Sequence, residues 1–411
     1  MKSDLTALMQ ENDLDGLLVV GPGQHNPAMV YLTGGAHLTG ADLIFKLDGK
    51  GLLFHGPMER DEAAKSGLET RSYSNYPLAE LIKEAKGDRM LATLLRYKHM
   101  FADAGLTQGR VALYGVAEMA NVFPIITGLQ DLLPGLVFTG DLEGAVIKKA
   151  MSTKEPAEVE RIRRMGQVTT GVVGQVADYL SNQRAKDGVL VKADGEPVTI
   201  GEVKGLINRW LAERGAENPE GTIFAIGRDA GVPHSSGSAG DIMRLGQTIV
   251  FDIFPCEEGG GYFYDFTRSW CLGYAPDEAL KLYEQVKEVF QTLMSELKMG
   301  EDFSVYQRRT CELFEAQGHK SVLNTPETEE GYVHSVGHGL GLHVHERPFS
   351  RMVGGQEDLL NPGTVMTIEP GLYYPERGMG VRLEDTVWVR PDGVMEVLAP
   401  YPLDFVLPVK G

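Results

Sequence analysis

Four carboxylates and one imidazole recur in the second half of this chain, in the order Asp252, Asp265, His338, Glu369 and Glu384. Gathering such groups inside a protein is unfavourable, because like charges within a few ångströms repel and each buried carboxylate needs compensation. A divalent metal supplies it. Carboxylate-rich ligation with one imidazole and no thiol suits Mn, Fe, Co or Zn, and bridging carboxylates can hold two ions about 3.5–4 Å apart.

The flanking residues say why these groups point inward. Thr248-Ile-Val-Phe-Asp-Ile-Phe254 is an apolar, β-branched run interrupted by the single acid Asp252, and Val365-Met-Thr-Ile-Glu-Pro370 repeats the pattern around Glu369. An unpaired acid in such a strand would cost on the order of a few kcal/mol or stay protonated. In Val381-Arg-Leu-Glu-Asp385, strand periodicity places Arg382 and Glu384 on one face and Asp385 on the other. Taken singly, an acid in a strand reads as a salt-bridged or edge residue, and a histidine-rich loop reads as surface. Their joint occurrence in this order points to metal.

Four segments carry a resemblance: Asp252 to Arg268, His334 to Pro348, Ile368 to Tyr373 and Gly380 to Asp385. In them the chain resembles the creatinase/prolidase/aminopeptidase P family of pita-bread metallopeptidases. The string Gly337-His-Gly-Leu-Gly-Leu-His-Val-His-Glu-Arg-Pro348 and the 15-residue gap between Glu369 and Glu384 look like its prolidase and aminopeptidase P branch. The resemblance implies that Asp252 chelates a first metal, Asp265 and Glu384 bridge, and His338 with Glu369 completes a second. The implied cofactors are two divalent ions, manganese foremost, with cobalt, zinc or iron as alternatives. The resemblance also marks His234, His334 and His345 as groups that contact substrate or stabilise the transition state, and Arg382 as orienting a ligand carboxylate on the substrate side.

The chemistry so implied is hydrolysis. Two divalent ions would acidify a shared water and polarise a carbonyl. His345 or His234 would donate a hydrogen bond to the tetrahedral oxyanion, and Glu369 would carry the proton to the leaving nitrogen. The expected substrates are small proline-containing peptides cleaved at the Xaa-Pro bond, as by a prolidase. Aminopeptidase P activity on longer peptides is one alternative; a metal-dependent lyase or hydrolase of a small molecule on the same fold is another. A dipeptidase needs a cation for the proline carboxylate, and Arg347 and Arg351 are the candidates. Metal-free amidinohydrolases and peptide-binding relatives on this fold lack the ligand set that this chain keeps.

The chain departs from the family pattern in two places. Asp252 and Asp265 lie 13 residues apart, with Pro255-Cys-Glu-Glu-Gly-Gly-Gly261 where a shorter turn is common; extra residues at a hairpin tip are expected to lengthen the loop and leave the ligands opposed. His343 stands where an acid is frequent, and in a strand it would share a face with His345. The glycines around His338 lack the Lys-Ser/Thr and the strand-loop-helix context of a phosphate cradle, so they read as backbone room beside a ligand.

Composition bounds the rest. With 411 residues, 43% apolar and 23% charged, the chain is long enough for two or three domains. A formal charge of −18 argues against nucleic acid or an anionic membrane as partner. Cys256, Cys271 and Cys311 have no ligand-like spacing, and neither a long apolar stretch nor a signal-peptide core is evident, so a cytoplasmic location is expected. A homodimer built partly through the N-terminal domain is what the family resemblance implies.

The fold class expected is α+β: residues 149–411 forming a curved antiparallel sheet covered by helices, preceded by a smaller α/β creatinase-like domain over 1–148. In the latter, apolar runs at Gly16 to Val20, Leu43 to Phe45, Gly51 to Phe54 and Arg110 to Tyr114 predict strands. Ser152-Thr-Lys-Glu155 reads as a capping box opening a long helix, displaced if Pro156 must occupy the first turn. Residues 181–195 read as an insertion or loop, and further helices are expected over 201–214, around Tyr283 to Leu297, and over 304–317.

Overall fold

The computed structural model describes residues 4–352 and 358–410, so the first three residues of the N-terminus, where no signal-peptide core is evident, lie outside it. Two compact units emerge, Met1–Met151 with Gly259–Gly261, and Ser152–Glu258 with Tyr262–Gly411.

The first unit is built on a six-stranded sheet in the order Glu69–Ser72, Gly51–His55, Ala41–Lys46, Gly16–Gly21, Gly109–Gly115, Leu136–Thr139. Its four inner strands are the four apolar runs of the sequence. The two outer ones carry too little pattern to stand out: Glu-Thr-Arg-Ser is polar throughout, and Leu136–Thr139 is four residues long. Gly16–Gly21 runs antiparallel to Ala41–Lys46 and parallel to Gly109–Gly115, and Leu18, Ile44, Phe54 and Val111 pack with Met100 and Phe101 of the helix Arg89–Asp103.

The second unit opens with the 26-residue helix Pro156–Ser181. Its cap is Glu155 rather than Ser152: Pro156 has no N–H to give and sits at the first helical position, and Glu158 Oε2 accepts from the Glu155 N–H at 2.7 Å. Residues 181–195 are not a plain loop, since Arg184–Lys186 and Val189–Val191 pair as a short hairpin. The remaining helices, Ile200–Ala212, Asp277–Glu296 and Ser304–Ala316, fall close to their sequence positions.

Two sheets, antiparallel except where Phe266–Leu272 meets Val406–Leu407 in parallel, carry or flank the acids. One sheet runs Thr222–Ile226, Thr248–Ile253, Phe266–Leu272, Val406–Leu407; the other runs Glu346–Phe349, His338–Gly339, Val365–Ile368, Asp385–Val389, Met395–Val397. Gly371–Tyr374 pairs separately with Met379–Arg382, and a bridge between Thr267 and Glu384 links the first sheet to the segment joining the other strands. Helices Asp277–Glu296 and Ser304–Ala316 supply Val286, Phe290, Leu293 and Phe314 to a core shared with Ile368, Leu372, Val381 and Val387. The unit is α+β, as expected from the sequence.

A buried ion pair pins the histidine-rich loop to the start of the long helix. Lys154 Nζ lies 2.8 Å from Glu346 Oε2, both side chains nearly inaccessible, and Glu346 Oε1 accepts from the His343 N–H at 3.0 Å. Lys154→Met leaves Glu346 as an uncompensated buried charge. Urea unfolding followed by tryptophan fluorescence reports this unit alone, because Trp210, Trp270 and Trp388 all lie in it. It is expected to show a loss of about 3–5 kcal/mol, most of it regained in Lys154→Met/Glu346→Leu. A single variant within about 1 kcal/mol of wild type, the range of a surface pair, would show that the pair does not hold the loop.

Candidate metal centre

Backbone register brings the two aspartates to one face. In the hairpin of Thr248–Ile253 with Phe266–Leu272, Asp252 lies opposite Thr267, and Asp265, two residues before Thr267, shares that face. The wider spacing is absorbed at the tip, where Cys256–Glu257 pairs with Ala216–Glu217; the strands keep their register and both acids line one cavity.

The glutamates sit at facing breaks in the sheet rather than inside strands. Pro370 has no N–H, so Val365–Ile368 ends just before Glu369 and pairing resumes with a new partner at Gly371. Across from it, the run Met379 to Val389 is interrupted at Leu383 and Glu384: Arg382 pairs with Gly371, and Asp385 pairs with Ile368. The Glu384 backbone is held by its N–H donating to Thr267 O at 3.1 Å and by Arg268 Nη1 donating to its carbonyl at 2.8 Å. His338 enters between two glycines that cannot carry a side chain: a Cβ on Gly337 would lie 2.1 Å from Thr367 O, and one on Gly339 2.1 Å from Arg347 O.

The resulting cluster has acceptors and too few donors. His338 Nδ1 lies 3.1 Å from Gly339 O, which assigns its N–H there and leaves Nε2 as a lone pair. That lone pair faces Glu369 Oε1 at 3.4 Å and Asp265 Oδ2 at 3.6 Å. Asp252 Oδ1 and Asp265 Oδ1 are buried with no hydrogen-bond partner. Burial and neighbouring carboxylates push Asp265 and Glu384 well above the usual carboxylate range, and burial, with Asp252 nearby, pushes Glu369 up to about 8. One cation in contact reverses this by favouring the ionised forms. Ligand atoms of Asp265, His338 and Glu384 lie within 4.8 Å of one another, so the residues present fit a divalent ion. Asp252 and Glu369 stand outside that tight group; Asp252 Oδ2 is drawn to Arg382 Nη2 at 2.6 Å.

Around the acids runs a cavity of about 930 Å³, lined also by His234, His334, His345, Arg351 and Arg382. Arg382 Nη1 donates to Tyr373 Oη at 2.6 Å, leaving the phenol O–H for His334 Nε2 at 2.9 Å, while His334 Nδ1 meets Ser335 O at 2.7 Å. His334 is thereby fixed as a neutral ring, its pKa lowered to about 3 by burial and by the Arg382 charge. Its loop is gripped by buried Gln307, whose amide donates to His334 O at 3.1 Å and accepts from the Val336 N–H at 2.6 Å. His345 stacks edge-on against His338 with centroids 4.3 Å apart. His343 and His345 lie in an irregular segment, not a strand, so no shared strand face relates them. Arg347 instead pairs with Asp358 at 2.5 Å and, among the described residues, is not on the cavity lining; Arg351 is on it, exposed, over the Phe349 ring.

Several residues that set this geometry escaped the sequence reading. Thr267 Oγ1 donates to Glu384 Oε2 at 2.6 Å, and the His338 N–H donates to Thr367 Oγ1 at 3.2 Å. Each threonine stands two residues from an acid on the same strand face, Thr267 from Asp265 and Thr367 from Glu369, and that periodicity was the available signal. Arg268 is fully buried over the Phe266 ring and pairs with Asp385 at 2.8 Å; an arginine in an apolar strand one residue past Thr267 pointed to a buried anion on the opposite face.

Residues 160–391 match the model of metallopeptidase family M24. The probable dipeptidase PepE of Mycobacterium tuberculosis is 28% identical over 294 residues, covering 69% of this chain and 71% of the relative. The Xaa-Pro dipeptidase of Pyrococcus horikoshii is 25% identical over 390 residues, 94% of this chain and 93% of the relative. A solved dipeptidase structure from Pyrococcus horikoshii superposes with a TM-score of 0.74 at 22% identity, covering 98% of both chains.

Thr267→Val removes the donor that orients Glu384 while preserving shape. Metal affinity, read by competition with a chromophoric chelator, is expected to fall about 10–100-fold; unaltered affinity would mean that Glu384 is oriented without the hydroxyl.

Proposed function

This chain belongs to metallopeptidase family M24, with its pita-bread fold, and is a metallopeptidase; from that premise we propose that it hydrolyses Xaa-Pro peptide bonds with a pair of divalent ions, as a prolidase. The observation that carries the reading is the convergence of Asp252, Asp265, His338, Glu369 and Glu384 on one cavity wall with an imidazole lone pair turned toward two carboxylates. Asp252, Asp265 and Glu384 would hold one ion, and Asp265, Glu384, His338 and Glu369 the other, with manganese the first choice and cobalt, zinc or iron as alternatives. Bound there, the ions supply Lewis acidity toward the scissile carbonyl and toward water.

The chain's own groups do the rest. Glu369, ionised once a bound cation offsets the burial that raises its carboxyl to about 8, takes the proton of the attacking water and returns it to the leaving imino nitrogen of proline. His345 and His234, both exposed on the cavity lining, offer N–H donors to the developing oxyanion. His334 stays neutral and contacts the substrate, and Arg382 holds the Asp252 carboxylate in place. Arg351 remains a cation at the rim, while the guanidinium of Arg347 is engaged by Asp358.

Aminopeptidase P activity is the second reading, and the cavity favours it to this extent: about 930 Å³ is ample for a peptide longer than two residues. Residues 149–411 would form the catalytic domain and 1–148 a creatinase-like domain that pairs two copies in a cytoplasmic homodimer. Met119, 78% exposed, and Phe123, 69% exposed, on the helix Met119–Leu132 support that pairing. No helix among the described residues is long and apolar enough to cross a membrane.

Metal-stripped protein reloaded with Mn²⁺, Co²⁺ or Zn²⁺ is expected to cleave an Xaa-Pro dipeptide in preference to an Xaa-Pro-Yaa tripeptide, with Asp265→Ala inactive. Tripeptide preference would establish the aminopeptidase, and no cleavage of either with metal bound would point to a lyase or other non-peptidase reaction. Light scattering is expected to give about twice the 45.0 kDa chain mass; a value near one chain would contradict the dimer.

A further inference from the structure

The same cavity carries a cation that neither the ligand set nor the sequence reading uses. Lys204, on the helix Ile200–Ala212, lines it. Its Nζ donates to the neutral carbonyl of Ser236 at 2.5 Å, and among the described residues it forms no ion pair, not even with Glu220 on the same lining. The other two basic candidates are placed differently: Arg347 is neutralised by Asp358, and Arg351 is exposed to water that screens it. Lys204 is half-buried, so its charge acts through a less screened medium and lacks a counter-charge. Burial lowers its pKa, the direction expected of an ammonium waiting for an anion.

Its distance from the chemistry follows from the backbone. Ile223 lies opposite Asp252, and the N–H of Phe224 donates to Ser236 O at 3.3 Å. Ser236 is therefore two strand spacings, about 10 Å, from the Asp252 backbone. Lys204 Nζ rests on its carbonyl, within the reach of a peptide of two or three residues at about 3.3–3.6 Å each.

We propose that Lys204 receives the C-terminal carboxylate of the peptide substrate, and so separates free-acid peptides from blocked ones. The proposal rests on the peptidase reading above and deepens it.

Binding to the metal-loaded enzyme tests it, using an Ala-Pro analogue with CH₂ in place of the scissile carbonyl. The analogue is offered as free acid and as C-terminal amide, alongside the same pair extended by one alanine. Wild type is expected to bind the acid of its preferred length about tenfold or more tighter than the matching amide, as for a charge-assisted hydrogen bond. Lys204→Met is expected to reduce that ratio below about threefold, and Lys204→Arg to restore most of it, with metal content and melting temperature confirming that both variants are folded. Three results overturn the assignment: no acid preference in wild type, an unmoved ratio in Lys204→Met at both lengths, or loss of the ratio in Arg351→Met alone. Because the readout is binding, acid preference through Lys204 without Xaa-Pro turnover would sink the functional reading and leave this one standing. Turnover with an unmoved ratio does the reverse.

Discussion

The constraint on which the second unit depends is that five acceptor groups face one cavity while, among the described residues, a single buried cation, Arg382, stands with them. The donors beside them do not satisfy them all. The lone pair of His338 already meets two carboxylate oxygens, and the spare oxygens of Asp252 and Asp265 have no donor. Compensation has to arrive from outside the polypeptide, and the surrounding structure acts to keep the groups from escaping that need by turning toward solvent or toward one another.

The means of restraint are local and different for each candidate ligand. Asp252 is held by a guanidinium, Glu384 by a hydroxyl and by two backbone contacts, and His338 by glycines that let two neighbouring strands close around it. Glu369 and Glu384 use the points where strand pairing changes partner, one of them set by Pro370. Ladder geometry would have sent alternate side chains to opposite faces; the breaks allow acids from facing segments to meet.

Most of the candidate site is legible because it violates ordinary patterning. Single acids in apolar strands stand out, as does a histidine between glycines, and the four inner strands of the first sheet were readable from their apolar runs. What was not legible depended on register. Arg382 and Glu384 do line one cavity as their spacing suggests, but the strand break between them has no signal in the sequence. The Ser152 cap yielded to Glu155 because Pro156 admits only one position in the helix. Arg347 looked like a substrate cation because its partner, Asp358, lies 11 residues further on with no periodic relation to it. Lys204 was invisible for the opposite reason: one lysine on an amphipathic helix is what every solvent-facing helix contains.

The contacts that hold the ligand set are between residues far apart along the chain. Thr267 and Arg268 reach Glu384 across 117 and 116 residues, and Arg382 reaches Asp252 across 130. Closing loops of that size carries a large entropy cost before any contact rewards it. Helices such as Pro156–Ser181 can form from local contacts, but the acids meet only when both sheets are in register. Competence to bind metal is thus a property of the finished tertiary structure, and no single segment of the chain carries it.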